Sequence, residues 1–167
     1  MTSDRIAHAR SFIDQIPQAR ALGLEILSIG EGRAEIRMPW SADLVGDPET
    51  GVIHGGVITS LLDNACGIAV QLALPARMSI ATLDLRLDYM KPATPKLELT
   101  AHTHCYKVTT NIAFVRGTAY HEDEDDPIAT CVGTFMLAAN RAMPMPISPE
   151  AAAEAMNFLE KNKGGTA

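Results

Sequence analysis

The sequence predicts an α+β fold in which an antiparallel β-sheet wraps around one long central helix. A short helix and a β-hairpin pattern come first, a long apolar helix follows them, and four strand-like runs then succeed one another without intervening helices. Consecutive runs of strands, rather than strict alternation of strands and helices, are typical of this class. A chain of 167 residues with 47% hydrophobic composition fits a single globular domain, which we assign to residues 1–167.

The first part of the chain combines a short helix with a hairpin. Residues 4–16 place apolar side chains at helical spacing, and Pro17 marks the end of that helix. Residues 22–39 read LGLEILSIGEGRAEIRMP, in which Gly30 and Gly32 supply the turn between two strands. Residues 40–53 are rich in turn formers and predict a loop. The core of the domain is therefore expected to span residues 20–140.

The segment after His54 predicts a helix that is apolar over most of its circumference and is therefore largely buried. Its main apolar stripe consists of Val57, Leu61, Ala65, Ile68 and Leu72. Polar and small residues interrupt this surface at steps of three and four, and they form one narrow stripe of Ser60, Asp63, Asn64, Gly67 and Gln71.

Four strand-like runs follow the helix, at residues 81–90, 97–106, 111–121 and 128–137. In the first run, leucines and Tyr89 alternate with charged residues, which predicts a half-buried antiparallel strand with one solvent-exposed face. The connecting segments are short, as in a meander. The C-terminal tail, residues 141–167, predicts a short helix with a frayed end.

Composition limits the partners and the compartment. A net charge of −6 argues against a nucleic-acid surface, which needs clustered Lys and Arg. Three widely spaced cysteines do not form a disulfide framework, and reduced thiols fit a cytoplasmic protein. The N-terminus shows no apolar signal segment, and the apolar stretch around residues 58–74 is too polar and too short for a membrane span. We therefore expect no nucleic-acid partner and no membrane association.

The sequence His54-Gly55-Gly56 stands at the start of the buried helix. The first N–H groups of a helix lack internal partners and carry the positive end of its dipole, and glycines allow close approach to the backbone. An oxygen that becomes negative during a reaction would be stabilised there. The alternative interpretation is an ordinary helix start entered by a flexible turn, with His54 as a capping or packing residue.

Asp63 places a carboxylate in the middle of the same helix, where it is costly unless it is paired or used. It is a candidate general base or nucleophile, or else a residue that hydrogen-bonds a neighbour on the polar stripe. Gly55 and Asp63 are eight residues apart, which is a rise of about 12 Å. The two can cooperate only if a second subunit supplies one of them, so this chemistry predicts a dimer.

The string GVIHGGVITSLLDNACGIA, with ATLDLRLDYMKPA and GTFML further along, resembles the PaaI-like family of hotdog-fold acyl-CoA thioesterases. The resemblance covers roughly residues 20–140. HGG with an Asp at this spacing, together with the strand that ends in Tyr-x-x-Pro, is fairly specific. It implies a hotdog fold and hydrolysis of acyl-CoA thioesters without a metal or any cofactor, since coenzyme A is part of the substrate. It also implies a homodimer that can assemble further into a tetramer.

The resemblance also implies residue roles. Gly55 would donate its N–H to the thioester carbonyl, Asp63 of the partner would act as general base or nucleophile, and His54 would order the loop and the substrate. The substrate-binding residues implied in this way are Gly56, Thr82, Tyr89, Lys91, Pro92, Lys107 and Asn111. Asp47 is the nearest match to an Asn that some members carry before HGG, one residue out of register.

Other interpretations remain beside the thioesterase. A non-catalytic module that binds acyl-CoA would gain little from a buried Asp63, and a hotdog dehydratase would need a different motif around its His. His102, His104 and Cys105 suggest a metal cluster, but alternation on a strand favours a surface His pair. The acidic run at residues 122–126 reads as a solvated hairpin tip. The acyl group stays open between small-to-medium and aryl.

Overall fold

The computed structural model describes residues 13 and 16–138. Its main element is a six-stranded antiparallel sheet with the strand order β1-β2-β6-β7-β8-β5. Those strands are β1 (Glu25–Gly30), β2 (Arg33–Met38), β5 (Ser79–Tyr89), β6 (Leu99–Val108), β7 (Ile112–Tyr120) and β8 (Ala129–Ala138). Helix α2 (Gly55–Ala73) packs mainly against β6, β2 and β7. The predicted α+β class, with a sheet around a long helix, is confirmed.

The apolar stripe of α2 makes the core. Leu61, Leu62 and Ala65 are fully buried, while the polar stripe through Asp63 and Asn64 stays partly exposed. On the sheet side, the Thr103 hydroxyl donates to the carbonyls of Ala65 and Ala34, at 3.0 and 3.2 Å. By length and composition alone α2 is long and apolar enough to cross a membrane, contrary to our sequence argument, but it lies against the sheet of the domain.

Two segments contain short elements that were not predicted. A five-residue helix α1 (Pro17–Ala21) begins at Pro17, because proline fits the first helical position. The predicted loop at residues 40–53 contains a 3₁₀ turn (Ala42–Leu44) and a small ribbon of β3 (Val45–Asp47) and β4 (Val52–Ile53). The predicted helix over residues 4–16 and the tail over residues 141–167 lie outside the described residues, except for residues 13 and 16.

Strand β5 departs from the predicted alternation. It lies at the edge of the sheet and pairs with β8 alone, with a register shift between Thr82 and Asp84. Leu83 falls at this bulge and is 53% exposed, whereas Leu85 and Leu87 are only partly buried. The predicted alternation of buried and exposed residues therefore fails at Leu83. An edge strand has few contacts with the helix, and the bulge turns this leucine outward. Within residues 16–138, the outer edge of this eleven-residue strand has no neighbouring strand.

Candidate active site

The turn before α2 fixes the helix start. The backbone N–H of His54 donates to the Leu44 carbonyl at 2.9 Å. Gly46 packs so closely that a Cβ there would lie 2.7 Å from the Cα of His54, so only glycine fits. The carboxylate of Asp47 accepts from the Thr50 hydroxyl at 2.7 Å and from the Glu49 N–H at 3.1 Å. The ribbon thus holds His54 against the first turn of the helix.

His54 caps the N-terminus of α2, which is the role that the alternative interpretation of this segment gave it. Its Nδ1 accepts from the N–H of Gly56 at 2.9 Å, and its carbonyl accepts from the N–H of Val57 at 2.9 Å. Within the described part of the chain, the N–H of Gly55 has no acceptor. The cap therefore satisfies the neighbouring donors and leaves a single free donor at the positive end of the helix.

Tyr89, at the end of β5, lies over this helix start. Its hydroxyl donates to the Gly55 carbonyl at 2.7 Å and lies 2.8 Å from the Thr59 hydroxyl. A cavity of about 320 Å³ opens beside them, lined by Val52, Ile53, Gly55, Ile58, Tyr89, Met90, Lys91, Pro92 and Ala93. The structure therefore brings Gly55, Tyr89, Lys91 and Pro92 together, next to His54 and Gly56.

Asp63 occupies a second cavity further along α2. Its Oδ1 accepts from the Thr82 hydroxyl at 2.9 Å, and among the described residues nothing bonds its Oδ2. The cavity measures about 170 Å³ and is lined by Ile16, Asp63, Asn64, Gly67, Ile68, Gln71, Ile80, Thr82 and Phe135. Thr82 lies on the same side of the sheet as its cross-strand partner Phe135, which is 2% exposed, although Thr82 itself is exposed in the single chain. A carboxylate with one oxygen held and one free can accept a proton from water or attack a carbonyl.

These two cavities belong to different stretches of one helix. Gly55 and Asp63 are separated by about 12 Å of helix rise. The free N–H and the free carboxylate oxygen therefore do not meet on one substrate atom within a single chain. Each cavity holds half of the predicted machinery.

The remaining predicted contacts are dispersed. The Asp47 carboxylate is occupied by the turn, and its pKa is lowered by the Thr50 hydroxyl and the Glu49 N–H, so this residue closes the turn. Lys107 and Asn111 lie at the β6–β7 hairpin. At this end of the sheet, Met136 of β8 pairs with Ile112 of β7 on one side and with Ala81 of β5 on the other. That end is roughly 25 Å along β5 from Tyr89, at about 3.3 Å per residue, and Lys91 lies two residues beyond Tyr89. The predicted coenzyme A contacts therefore lie at opposite ends of the sheet.

The acidic segment at residues 122–126 was interpreted as a solvated hairpin tip, but its carboxylates also bind other side chains. Asp126 forms an ion pair with Lys91 at the edge of the larger cavity. Glu124 accepts from the Thr118 hydroxyl at 3.0 Å and lies 2.7 Å from Nδ1 of His102. His102 is thus held by a carboxylate, and no group of three metal-ligating side chains is assembled within residues 16–138.

Sequence reasoning missed Thr59 and the contact between two cysteines. Thr59 lies four residues after Gly55 on the same helix face, so its spacing was a usable signal. The Sγ atoms of Cys66 and Cys131 are 3.7 Å apart in the core. Their hydrogen bond, together with burial, raises the pKa of the Cys66 thiol. Cys66 is therefore a buried residue of the core.

Comparisons with known proteins agree on one family. The family model for the thioesterase superfamily matches residues 50–128. The medium/long-chain acyl-CoA thioesterase YigI of Salmonella typhimurium is 30% identical over 139 residues, covering 75% of this chain and 88% of that protein. A relative from Halobacterium salinarum is 33% identical over 93 residues, which cover 54% of this chain and 62% of that protein.

Solved structures share the fold. A crystal structure from Pseudomonas aeruginosa has a TM-score of 0.71 and 43% identity, covering 78% of this chain and 97% of that one. A variant of the phenylacetic acid degradation protein PaaI of Thermus thermophilus has a TM-score of 0.63 and 26% identity, covering 72% of this chain and 98% of that one. The resemblance to PaaI-type hotdog proteins, first seen in the motifs, is confirmed.

Proposed function

This chain belongs to the thioesterase superfamily, and from that membership we propose that it hydrolyses the thioester of acyl-coenzyme A. One observation carries the proposal: the Gly55 N–H, which has no acceptor among the described residues, is accompanied on the same helix by the Asp63 carboxylate, whose Oδ2 has no described partner. A donor to polarise a carbonyl and a base to activate water are what thioester hydrolysis needs, since a thiolate leaves readily.

The complete site in this proposal forms between two copies of the chain. Tyr89 marks the Gly55 end of β5, and Thr82 marks the Asp63 end, seven residues earlier. Antiparallel pairing of two β5 edges about a twofold axis between Leu85 and Arg86 would put Thr82 of one copy opposite Tyr89 of the other. The free N–H of one chain then faces the carboxylate of its partner. The outer edge of β5, which pairs with no other strand of the described residues, supports this arrangement.

A second interface would lie on the outer face of the sheet. Three large apolar side chains there, Tyr106, Val132 and Met136, are 50%, 51% and 45% exposed. Apolar groups of this size on one sheet face support a dimer of dimers. The proposal therefore includes the predicted tetramer, built from two β5-paired dimers.

In the proposed reaction, the Gly55 N–H binds the thioester oxygen as charge develops on it. Asp63 of the partner takes a proton from the attacking water, or attacks the carbonyl itself. Water and the thioester give a carboxylic acid and the free thiol of coenzyme A. Thr82 holds Oδ1 of Asp63 and leaves Oδ2 for the reaction. No metal or separate cofactor enters the scheme, and coenzyme A is part of the substrate.

The acyl chain is proposed to enter the cavity beside Asp63, whose walls include Ile68, Ile80 and Phe135. Those apolar walls suit an acyl chain of medium length, and the name of the Salmonella relative describes that protein as acting on medium/long-chain acyl-CoA. Lys91, Lys107 and Asn111 remain candidates for the coenzyme A moiety, since all lie at the surface. The three free cysteines support a cytoplasmic location.

Replacing Gly67 with valine is expected to shift chain-length preference. A Cβ at Gly67 would lie 3.8 Å from both Ile80 and Phe135, so alanine fits at ordinary contact, while the methyls of valine would fill the cavity. We expect kcat/KM on octanoyl-CoA to fall by roughly tenfold relative to propionyl-CoA, within the range for a methyl-sized misfit. Gly67→Ala is the matched control. Equal losses on both substrates would contradict this placement of the acyl chain.

The proposed function is tested by assaying the purified protein on acyl-CoAs from acetyl to palmitoyl and on benzoyl-CoA. Loss of thioester absorbance reports hydrolysis directly and avoids thiol-reactive dyes, which the three cysteines would complicate. Turnover on any member of the panel supports a thioesterase. Tight binding of acyl-CoA without turnover would instead support the non-catalytic binding module.

A further inference from the structure

The carbonyl of Gly55 is held by two hydroxyl groups. The Tyr89 hydroxyl donates to it at 2.7 Å and the Thr59 hydroxyl at 3.2 Å, while the two hydroxyl oxygens lie 2.8 Å apart. The Tyr89 ring also covers this residue, since a Cβ on Gly55 would lie 3.5 Å from the ring carbon that bears the hydroxyl. The two hydroxyls have two protons for these three contacts, so Tyr89 donates to the Gly55 carbonyl while Thr59 shares its proton between that carbonyl and the Tyr89 oxygen.

The other side of the same peptide group is held as well. The peptide unit that begins with the Gly55 carbonyl ends with the Gly56 N–H, and that N–H donates to Nδ1 of His54 at 2.9 Å. A single peptide unit is thus bound at its oxygen by Tyr89 and at its nitrogen by His54. This unit directly follows the Gly55 N–H, the one free donor of the first turn.

Two adjacent glycines need such support. Glycine has the largest backbone freedom of any residue, so the first turn of α2 would otherwise sample many orientations. A donor that stabilises developing charge must be fixed before the reaction, because reorganisation during the reaction raises the barrier. We propose that Tyr89, assisted by Thr59, is a positioning residue that aims the Gly55 N–H at the thioester oxygen. This inference rests on the proposed function.

The inference changes the role first assigned to Tyr89. The family resemblance implied that Tyr89 contacts the substrate, but its hydroxyl proton is directed at the Gly55 carbonyl and its oxygen lies against Thr59. The hydroxyl binds the helix backbone, while Tyr89 as a residue also lines the cavity. The residue as a whole is 51% exposed. Loss of the hydroxyl should therefore alter the rate of the chemical step and spare substrate binding.

The test compares Tyr89→Phe, Thr59→Val and Thr59→Ser with the wild type on one acyl-CoA substrate. Phenylalanine keeps the ring and removes the hydroxyl, valine keeps the branched shape of Thr59, and serine keeps its hydroxyl. We expect kcat of Tyr89→Phe to fall by roughly tenfold, the scale of one lost hydrogen bond, with KM within about twofold. Thr59→Val should lose roughly threefold in kcat, and Thr59→Ser should stay close to wild type.

The outcomes separate this role from its competitors. An unchanged kcat in Tyr89→Phe with only a lower melting temperature would show a structural residue and overturn the inference. A raised KM with unchanged kcat would show a substrate contact and overturn it too. In both cases the proposed function would still hold, provided that the wild type hydrolyses acyl-CoA and the Asp63→Asn variant does not. If the wild type hydrolysed no acyl-CoA, the proposed function would fail and the positioning role with it.

Discussion

Asp63→Asn is expected to lower kcat by about a hundredfold or more, because general-base catalysis contributes about 10²- to 10⁴-fold. Asparagine has nearly the same shape, and its amide oxygen can still accept from the Thr82 hydroxyl that now bonds Oδ1. The substitution therefore removes the charge and the basic oxygen while it preserves the local packing. Steady-state hydrolysis of the best acyl-CoA substrate measures the loss, and KM should change far less than kcat.

A matched control is available in Glu31→Gln. Glu31 is an exposed acid in the β1–β2 turn that lines neither cavity, so losing its charge should leave kcat within about twofold. Sedimentation or light scattering must show that Asp63→Asn keeps the assembly of the wild type. If Asp63→Asn retained more than a third of the wild-type kcat, the carboxylate would be no more than a structural group on the polar stripe.

Single-turnover hydrolysis in ¹⁸O-water distinguishes the two chemical roles of Asp63. If Asp63 acts as a general base, the first molecule of product acid carries the ¹⁸O of the attacking water. If its Oδ2 attacks the carbonyl, an anhydride with the enzyme forms, and water attack at the Asp63 carbonyl leaves an unlabelled oxygen in the first product. Mass spectrometry of the acid, with enzyme in excess over substrate, reads the difference.

Much of the site could be predicted because its chemistry is local in sequence. The helix start with its two glycines, Asp63 eight residues later, and the inability of one chain to unite them all follow from helix geometry. The helix was also predictable, since its apolar residues repeat at helical spacing. The structure places these elements where the periodicity predicts them.

The parts that were missed depend on contacts between distant segments. The ion pair of Lys91 with Asp126 and the hydrogen bond of Tyr89 with the Gly55 carbonyl join residues more than thirty positions apart. The bulge at Thr82 sets which side of β5 each later residue faces, and alternation alone does not reveal it. Strand order and side-chain pairing are tertiary properties, so a single sequence gives the elements without the register that joins them.

Gly55→Pro is expected to lower kcat by about 10²- to 10³-fold, the usual cost of removing one donor to a developing oxyanion. Proline deletes the free N–H and is well tolerated at the first position of a helix. The preceding residue must be extended for proline to follow, and His54 has φ −60° and ψ 132°, which fits that requirement. The substitution thus removes the donor with little demand on the backbone.

Gly55→Ala is the matched control for this donor. It adds a side chain but keeps the N–H, and the new Cβ would lie 3.4 Å from the Tyr89 hydroxyl, which is ordinary contact. We expect it to retain at least roughly a third of the wild-type kcat, since the donor remains. Equal losses in the proline and alanine variants would point to crowding against Tyr89 and not to the missing N–H.

Mixing the two inactive variants tests whether each site spans two chains. In a dimer of one Gly55→Pro chain and one Asp63→Asn chain, one site carries both defects, whereas the other combines a native Gly55 with a native Asp63. Random assembly makes half of the dimers mixed, and each mixed dimer has one intact site of two, so co-expression should restore about a quarter of wild-type kcat. This rescue requires that the Gly55 N–H and the Asp63 carboxylate act across the subunit boundary, as their separation of about 12 Å along one helix demands.

Activity that stays at the level of the separate variants would place both groups in one chain, and the β5-paired dimer would then no longer be needed for catalysis.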